Sequence, residues 1–323
     1  MSSLQNLGSS DLKVFPLNLG GNVFGWTADR DQSFAVLDAY TAAGGNFVDT
    51  ADAYSRWVPG HKGGESETII GEWLAARGNR SGIVVATKGG RHPEFTGLKA
   101  DTIKRAAEAS LRRLGTDYID LYYTHFDDES VPVEEIITAL DELVRAGKVR
   151  AIGASNISPQ RLEASLAFSE REGLARYVAL QPHYNLVSRE TYEGDLRRIA
   201  GRYGLGVIPY YSLASGFLTG KYRPGTASVD SGRAEDAAKY LRADPARYLQ
   251  TERGRKVLAA LDDIARAHTC ELATVALAWL AAQPTVIAPL ASARTVEQLP
   301  ALLAAESLRL TGAELARLTD ASA

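Results

Sequence analysis

Short apolar runs recur along the 323-residue chain and alternate with segments of helical periodicity. Residues 102–114 and 133–146 are the clearest helices, because their apolar residues recur every three or four positions and share one helix face. Glycine follows several such segments, as expected at helix C-termini. The apolar runs predict eight strands, at residues 17–20, 46–49, 83–87, 118–122, 150–153, 177–180, 206–210 and 285–288.

This alternation of strands and helices predicts an α/β fold with parallel strand pairing. A count of eight favours a closed (β/α)₈ barrel of the TIM type over an open doubly wound sheet. Although 323 residues could form two domains, a barrel can hold residues 1–323 in a single domain. A long connection at residues 221–250, rich in Pro, Gly, Ala and Asp, follows the seventh strand. It is either a lid over a site or a surface insertion.

Composition narrows the class of protein further. The chain is 45% hydrophobic and 23% charged, which is typical of globular proteins and excludes disordered and fibrous ones. A net charge of −3 gives no reason to expect a nucleic-acid or membrane partner. Cys270 is the only cysteine, so an internal disulfide and a cysteine-based zinc cluster are excluded, and no metal-ligand spacing is evident. Without a signal-like start or a long apolar run, we expect a cytoplasmic protein.

Four ionisable residues fall at the ends of consecutive predicted strands. Asp49 and Tyr54 follow the second strand, Lys88 ends the third and His125 follows the fourth. Each alone has a structural explanation, such as a helix cap or a packed side chain. A barrel, however, brings the carboxyl ends of all its strands to one face, where the active site lies. We therefore expect the four side chains to meet.

The chemistry of these residue types indicates a carbonyl oxygen as the target. A phenol has a pKa of about 10, and a neighbouring ammonium lowers it, so Lys88 could make Tyr54 a better acid. Asp49 could keep Lys88 charged, and His125 could orient the oxygen of a substrate. No nucleophilic serine or cysteine with a base at hand is evident, so an electron pair would have to come from a cofactor.

Six sequence motifs, spread over nearly the whole chain, are similar in order and spacing to those of one protein family. They are FVDTADAYS, VATKGG, DYIDLYYTHFDD, RAGKVRAIGASNIS, IPYYSLASGFLTGKY and SARTVEQL. The chain thereby resembles the aldo-keto reductase family. The resemblance implies NADPH-dependent reduction of an aldehyde or ketone, with Tyr54 as general acid and His125 as the residue that orients the carbonyl. It also implies that Lys88 and Asp49 lower the pKa of Tyr54.

The same resemblance implies a nicotinamide cofactor that lies extended across the barrel mouth. Ser155, Asn156 and Gln181 are similar to the residues that bind the carboxamide in this family. Tyr210 is similar to the aromatic residue that stacks on the nicotinamide ring, with Tyr211 as the alternative.

The remaining cofactor contacts are assigned in the same way. The segment that resembles the family's pyrophosphate loop contributes Leu213, Ser215, Gly216 and Lys221. Arg294 resembles the residue that binds the adenosine 2′-phosphate, and Gln298 lies one helical turn further on, facing the adenine. A guanidinium suits a dianionic phosphate because it donates two parallel hydrogen bonds.

Aromatic residues follow the first, second and fourth strands and predict an apolar pocket for a small carbonyl substrate. These residues are Phe24, Trp26, Trp57 and Phe126. Two other functions stay open. One is an NADP(H)-binding, redox-sensing regulatory protein that resembles a potassium-channel β subunit. The other is a barrel glycosidase with two carboxylic acids. The sequence does not indicate an oligomeric state.

Overall fold

The structure, a computed structural model, describes residues 4–223 and 245–323. Within these ranges, eight parallel strands form one sheet and alternate with helices, as the sequence predicts. The strands are β1 (Asn18–Gly20), β2 (Phe47–Asp49), β3 (Val84–Gly89), β4 (Ile119–Thr124), β5 (Val149–Ser155), β6 (Tyr177–Gln181), β7 (Gly206–Val207) and β8 (Leu290–Ala291). Their order across the sheet is β7-β6-β5-β4-β3-β2-β1-β8, so strands adjacent in sequence are paired and β8 pairs with β1.

The two edges of this sheet also bond to each other. The carbonyl of Val207 accepts the N–H of Ile287 at 2.9 Å, and Val207 donates its own N–H to Thr285 at 2.9 Å. Further along, the N–H of Leu290 donates to the carbonyl of Pro209 at 3.0 Å. These bonds are consistent with an α/β barrel.

The last two strands differ from the prediction. The seventh strand ends at Val207 rather than at residue 210, and the eighth lies at Leu290–Ala291 rather than at residues 285–288. Of the predicted eighth strand, Val286 forms a single bridge to Val207. The reason is the backbone of Thr285, whose φ of 72° lies in the left-handed region and interrupts an extended chain.

Ten α-helices occur among the described residues. The predicted helices at residues 102–114 and 133–146 correspond to α3 and α4. Gly115 ends α3 with a φ of 62°, a conformation that glycine adopts at low cost. The helices are α1 (Arg30–Ala42), α2 (Glu65–Arg77), α3 (Ala100–Leu114), α4 (Val133–Arg145), α5 (Pro159–Glu172), α6 (Asp195–Tyr203), α7 (Glu252–His268), α8 (Leu272–Ala281), α9 (Leu299–Leu303) and α10 (Gly312–Ala321).

Alternate strand residues belong to two buried clusters, as the two-residue period of a strand requires. Val48 and Val85 pack in the larger cluster with the helices, whereas Phe47 and Ala86 belong to a smaller cluster. The smaller cluster includes Leu7, from an N-terminal antiparallel hairpin. The turn of this hairpin packs against the first residues of β6 and β7. The hairpin therefore covers the amino ends of the strands and leaves their carboxyl ends for the site.

The apolar segment at residues 272–282 corresponds to α8, whose side chains are buried in the larger cluster. No described helix combines the length and the apolar character needed to span a bilayer. The predicted connection at residues 221–250 falls mostly outside the described residues, apart from residues 221–223 and a short 3₁₀ helix, Pro245–Gln250. Whether it forms a lid stays a prediction.

Candidate active site

A cavity of about 1250 Å³ lies at the carboxyl ends of the strands. Most of the residues that the sequence assigns to the cofactor and the substrate line it. Asp49 and Lys88 lie beneath it, and Phe24 and Trp26 are not among its lining residues. The predicted residues that line it are Tyr54, Trp57, His125, Phe126, Ser155, Asn156, Gln181, Tyr210, Leu213, Ser215, Gly216, Lys221, Arg294 and Gln298.

Asp49, Lys88 and Tyr54 form a bonded cluster at the base of the cavity. Asp49 is in register with Ala86 on β3, and Lys88 lies two residues further along the same face of that strand. Lys88 Nζ lies 2.5 Å from Asp49 Oδ2 and 3.0 Å from Tyr54 Oη. It also donates to the carbonyl oxygen of Thr50 at 2.7 Å. An ammonium has three N–H donors, and each of them has an acceptor here.

The carboxylate of Asp49 is held on both oxygens. Its Oδ1 accepts a hydrogen bond from the side-chain amide of Gln181 at 2.9 Å. Its Oδ2 accepts hydrogen bonds from Lys88 Nζ and, at 3.4 Å, from the phenol of Tyr54. Asp49 and Lys88 are 0% and 1% exposed. Burial of two opposite charges is tolerated where each is paired and hydrogen-bonded, and this cluster meets that condition.

The sequence predicts that Lys88 lowers the pKa of Tyr54, but in the structure this pKa is raised. Burial, followed by the charges of Asp49 and Tyr211, raises the pKa of Tyr54 well above 10. The physical reason is that burial disfavours the charged phenolate, and the nearby carboxylate of Asp49 disfavours it further. Burial also lowers the pKa of Lys88 and raises that of Asp49, and in each case the partner opposes the effect of burial. The phenol is therefore held protonated, as a proton donor must be.

His125 lies beside the phenol. Its ring centroid is 6.0 Å from that of Tyr54, at an interplanar angle of 77°. Burial, and then the charges of Lys88, Arg91 and Arg56, hold the pKa of His125 well below 6.5. A neutral imidazole keeps one N–H to donate, so His125 can hydrogen-bond a carbonyl oxygen near Tyr54.

Ser155, Asn156 and Gln181 form a connected polar network above β5 and β6. Asn156 Nδ2 donates to the carbonyl oxygen of His125 and to Ser155 Oγ, both at 2.9 Å. Ser155 Oγ donates to the carbonyl oxygen of Gln181 at 2.8 Å. Tyr210 Oη donates to Asn156 Oδ1 at 2.6 Å, and its ring stacks on His183 with centroids 5.5 Å apart. The structure therefore brings together the residues that resemble a carboxamide site, and Tyr211 also lines the cavity.

The loop after β7 has an unusual backbone. Tyr211, Ala214 and Ser215 have φ of 55°, 48° and 56°, in the left-handed region that residues with a side chain rarely occupy. Gly216 follows with a φ of 91°, and a Cβ placed there would lie 2.9 Å from Nζ of Lys221. Such conformations cost free energy and occur mainly at ligand-binding sites.

Arg294 and Gln298 lie after β8. The side-chain oxygen of Gln298 accepts the backbone N–H of Arg294 at 2.8 Å. The guanidinium of Arg294 makes no hydrogen bond or ion pair to residues 4–223 or 245–323. Its side chain lines the cavity. Among the described residues, this end of the cavity therefore holds a guanidinium without an ion-pair partner.

The predicted aromatic pocket is present in part. Trp57 and Phe126 line the cavity, and Trp26 packs edge-on against Trp57 with centroids 5.4 Å apart. Phe24 is 0% exposed and packs in the larger buried cluster. A short 3₁₀ helix, Gly21–Val23, precedes Phe24. The carbonyl oxygen of Phe24 accepts a hydrogen bond from Ser55 Oγ at 2.8 Å. That turn directs the ring into the core.

Asp52 is a buried residue of the site that the sequence prediction did not include. It is 0% exposed, and its Oδ2 accepts the backbone N–H groups of Gly90, Arg91 and His92 at 3.1, 3.4 and 3.2 Å. Burial and the charge of Glu67 raise the pKa of Asp52 to about 7. Its place two residues before Tyr54 in the first motif, FVDTADAYS, was the only signal available, because the contacts depend on the path of the loop after β3.

The fold is an α/β fold in which eight parallel strands alternate with helices. A buried cluster of tyrosine, lysine and aspartate lies at the carboxyl ends of these strands. A family model described as "Aldo/keto reductase family" matches residues 16–323. The chain therefore belongs to the aldo-keto reductase family, as its motifs predict.

Relatives of this chain include both enzymes and a channel subunit. A probable voltage-gated potassium channel subunit beta of Oryza sativa subsp. japonica is 35% identical over 91% of this chain and 88% of its own length. Aldo-keto reductase ausK of Aspergillus calidoustus is 33% identical, over 95% and 78%. The uncharacterized oxidoreductase YrpG of Bacillus subtilis is 34% identical, over 97% and 94%. The family and its reductase-named members support an oxidoreductase.

Proposed function

We propose that this protein reduces an aldehyde or ketone to the alcohol with NADPH, and that Tyr54 donates the proton to the carbonyl oxygen. The observation that carries this proposal is the position of the Tyr54 phenol, which lines the cavity and lies 3.0 Å from Lys88 Nζ. The phenol is held protonated, and it has an ammonium beside it to stabilise the phenolate that remains after transfer.

The other site residues act on the substrate or on Tyr54. His125, neutral and beside the phenol, donates a hydrogen bond to the carbonyl oxygen and orients it. Asp49 keeps Lys88 charged in a buried position. NADPH, when bound, supplies the hydride that reduces the carbonyl carbon. Trp57 and Phe126 offer apolar surface to the rest of the substrate.

The donor set of the cavity fits a dinucleotide phosphate. Lys221 and Arg294 are cations of the same cavity, and the guanidinium of Arg294 has no partner within the described residues. The left-handed loop of residues 211–216 lies beside Lys221, as expected of a backbone that approaches phosphate oxygens. We assign the pyrophosphate to this loop and Lys221, the 2′-phosphate to Arg294 and the adenine side to Gln298. Ser155, Asn156 and Gln181 then bind the carboxamide, and Tyr210 stacks on the ring.

The decisive experiment follows NADPH absorbance while diverse aldehydes and ketones are added to wild type and to Tyr54→Phe. The variant should lose about 10²- to 10⁴-fold in kcat, the usual contribution of general acid catalysis, and should still bind NADPH. Tyr203→Phe, a change of the same kind on the outer helix α6, is the matched control. Retention of more than about a tenth of wild-type kcat in Tyr54→Phe would show that another group is the acid.

A second candidate function is supported by the rice relative, which is named as a channel subunit. In that case the protein would bind NADPH as a redox-sensing regulator. Such a protein would show NADPH binding by fluorescence titration without turnover of any carbonyl compound in the panel. Both oxygens of Asp49 accept hydrogen bonds from other side chains, which argues against a glycosidase nucleophile at this position.

A further inference from the structure

We propose that the preferred substrate carries a carboxylate in addition to its carbonyl group, and that Arg91 and Arg56 bind this carboxylate. This inference rests on the proposed reductase function. The observation behind it is a pair of arginines that line the substrate side of the cavity and have no acidic partner.

Arg91 is connected to the site through a series of ring contacts. The His125 ring lies 6.0 Å from Tyr54, and Phe126 lies 5.3 Å from His125. The guanidinium carbon of Arg91 is 4.5 Å from the centroid of Phe126. A substrate whose carbonyl meets Tyr54 and His125 can therefore extend along Phe126 toward this guanidinium.

Arg56 adds a second guanidinium beside the first. Its Nη1 donates to the carbonyl oxygen of Arg91 at 2.8 Å, which leaves the other N–H groups of Arg56 to bind a ligand. Both arginines act electrostatically on His125, since both lower its pKa. They therefore lie close enough to the reacting carbonyl to influence an anion attached to it.

Two partly buried arginines, Arg113 and Arg161, are paired within the protein, whereas Arg56 and Arg91 are exposed. Arg113 lies 2.6 Å from Glu67, and Arg161 lies 2.5 Å from Asp127. In contrast, neither Arg56 nor Arg91 has a carboxylate within 4.0 Å among residues 4–223 and 245–323. Lys62 also lines this part of the cavity, and a single acid, Glu94, accompanies the three cations. The local charge is positive although the whole chain carries −3.

The backbone that carries Arg91 is held on both sides. Asp52 accepts its N–H and those of its two neighbours, and Arg56 donates to its carbonyl oxygen. A two-stranded hairpin, with Arg91 paired to Thr96, extends from this point. The backbone at Arg91 is thus held in place, and its guanidinium, which lies over the ring of Phe126, can bind a planar carboxylate through two parallel hydrogen bonds. A carboxylate is the anion that these donors fit.

The test compares two substrates that differ in one charge, para-formylbenzoate and its methyl ester. Wild type should show a higher kcat/KM for the carboxylate, and the ratio should fall as salt is added, because partly exposed charges are screened. Arg91→Gln and Arg56→Gln should each lower the ratio about three- to tenfold. Arg112→Gln, on the outer face of α3 and away from the cavity, is the matched control and should leave the ratio unchanged.

The outcomes separate this inference from the proposed function. If the ester is reduced but the carboxylate is not preferred, or if the ratio is the same in all variants, the carboxylate site is refuted and the reductase function stands. If wild type reduces neither compound nor any other carbonyl, the proposed function fails. Calorimetric titration of the protein with para-(hydroxymethyl)benzoate and its methyl ester then decides. If wild type binds the carboxylate more tightly than the ester, and Arg91→Gln loses this preference, the carboxylate site is supported. If wild type binds both compounds equally, or binds neither, the site is refuted.

Discussion

Two regions of the cavity differ in how their charges are partnered. The floor, formed by Asp49, Tyr54 and Lys88, is a closed set in which each charged group has a bonded partner. The rim, formed by residues 211–216, Lys221 and Arg294, combines a left-handed backbone with a guanidinium that has no partner among the described residues. The floor is therefore organised before a ligand arrives, whereas the guanidinium of Arg294 at the rim keeps donors that the proposed cofactor would engage.

The difference has an energetic consequence. Removal of one member of a buried ion pair leaves the other charge unpaired and costs about 3 to 5 kcal/mol. Removal of a side chain that bonds to nothing in the folded protein usually changes stability by no more than about 0.5 kcal/mol. Variants of the floor should therefore lose stability and activity together, and a variant of Arg294 should lose affinity alone.

The largest effect is expected for Lys88→Met. The change leaves the buried carboxylate of Asp49 without its cation and removes the ammonium that stabilises the phenolate of Tyr54. Carbonyl reduction should fall at least about 10²-fold. The free energy of unfolding, measured in urea, should fall by about 3 to 5 kcal/mol.

The double variant Asp49→Asn, Lys88→Met separates the two losses. It removes both charges, so much of the lost stability should return, while turnover should stay as low as in the single variant. If activity returned together with stability, Lys88 would be a structural residue only. The floor would then not differ in kind from an ordinary buried ion pair.

An intermediate effect is expected at the rim. Arg294→Ala should weaken NADPH binding about 10- to 100-fold, because charge-assisted hydrogen bonds contribute roughly 1.5 to 3 kcal/mol. NADH has no 2′-phosphate, so its affinity serves as the internal control and should hardly change. Fluorescence titration with both cofactors measures this. Equal losses for both would indicate general damage to the rim, and no loss for either would move the phosphate site away from Arg294.

The sequence predicts the first six strands to within two residues at each end, because a period of two and a buried interior leave a strong apolar signal. It also predicts that Asp49, Tyr54, Lys88 and His125 meet, because parallel strands present their carboxyl ends at one edge. The eighth strand is misplaced because residues 285–288 have the composition of a strand, whereas Thr285 adopts a left-handed φ and only Val286 forms a bridge.

Other features depend on burial and on loop paths, which a pattern of residue types does not contain. The pKa of Tyr54 is raised rather than lowered because the phenol is buried and lies beside the carboxylate of Asp49. Phe24 is in the core because a 3₁₀ turn precedes it. Asp52 matters because three backbone N–H groups of the loop after β3 point at one of its oxygens.

Asp52 is buried like the residues of the floor, but no cation is bonded to its carboxylate. Its Oδ2 accepts only backbone N–H groups, and its Oδ1 is buried without a partner among the described residues. With a pKa of about 7 in the folded protein and about 3.9 when unfolded, the native state binds more protons than the unfolded state between these values. Stability should therefore fall as the pH rises from about 4 to 7.

The smallest effect at neutral pH is accordingly expected for Asp52→Asn. The amide oxygen can still accept the three backbone N–H groups, and the charge penalty is gone, but an unpartnered amide N–H₂ takes the place of Oδ1 at a cost of about 1 to 3 kcal/mol. The two changes nearly offset each other, so the variant should be more stable than wild type by only about 1 kcal/mol at pH 7. Its advantage should grow by about 2.6 kcal/mol between pH 5 and pH 8, as urea unfolding at each pH would measure. A constant difference across that range would mean that Asp52 is ionised throughout, with the backbone N–H groups holding its charge as firmly as Lys88 holds that of Asp49.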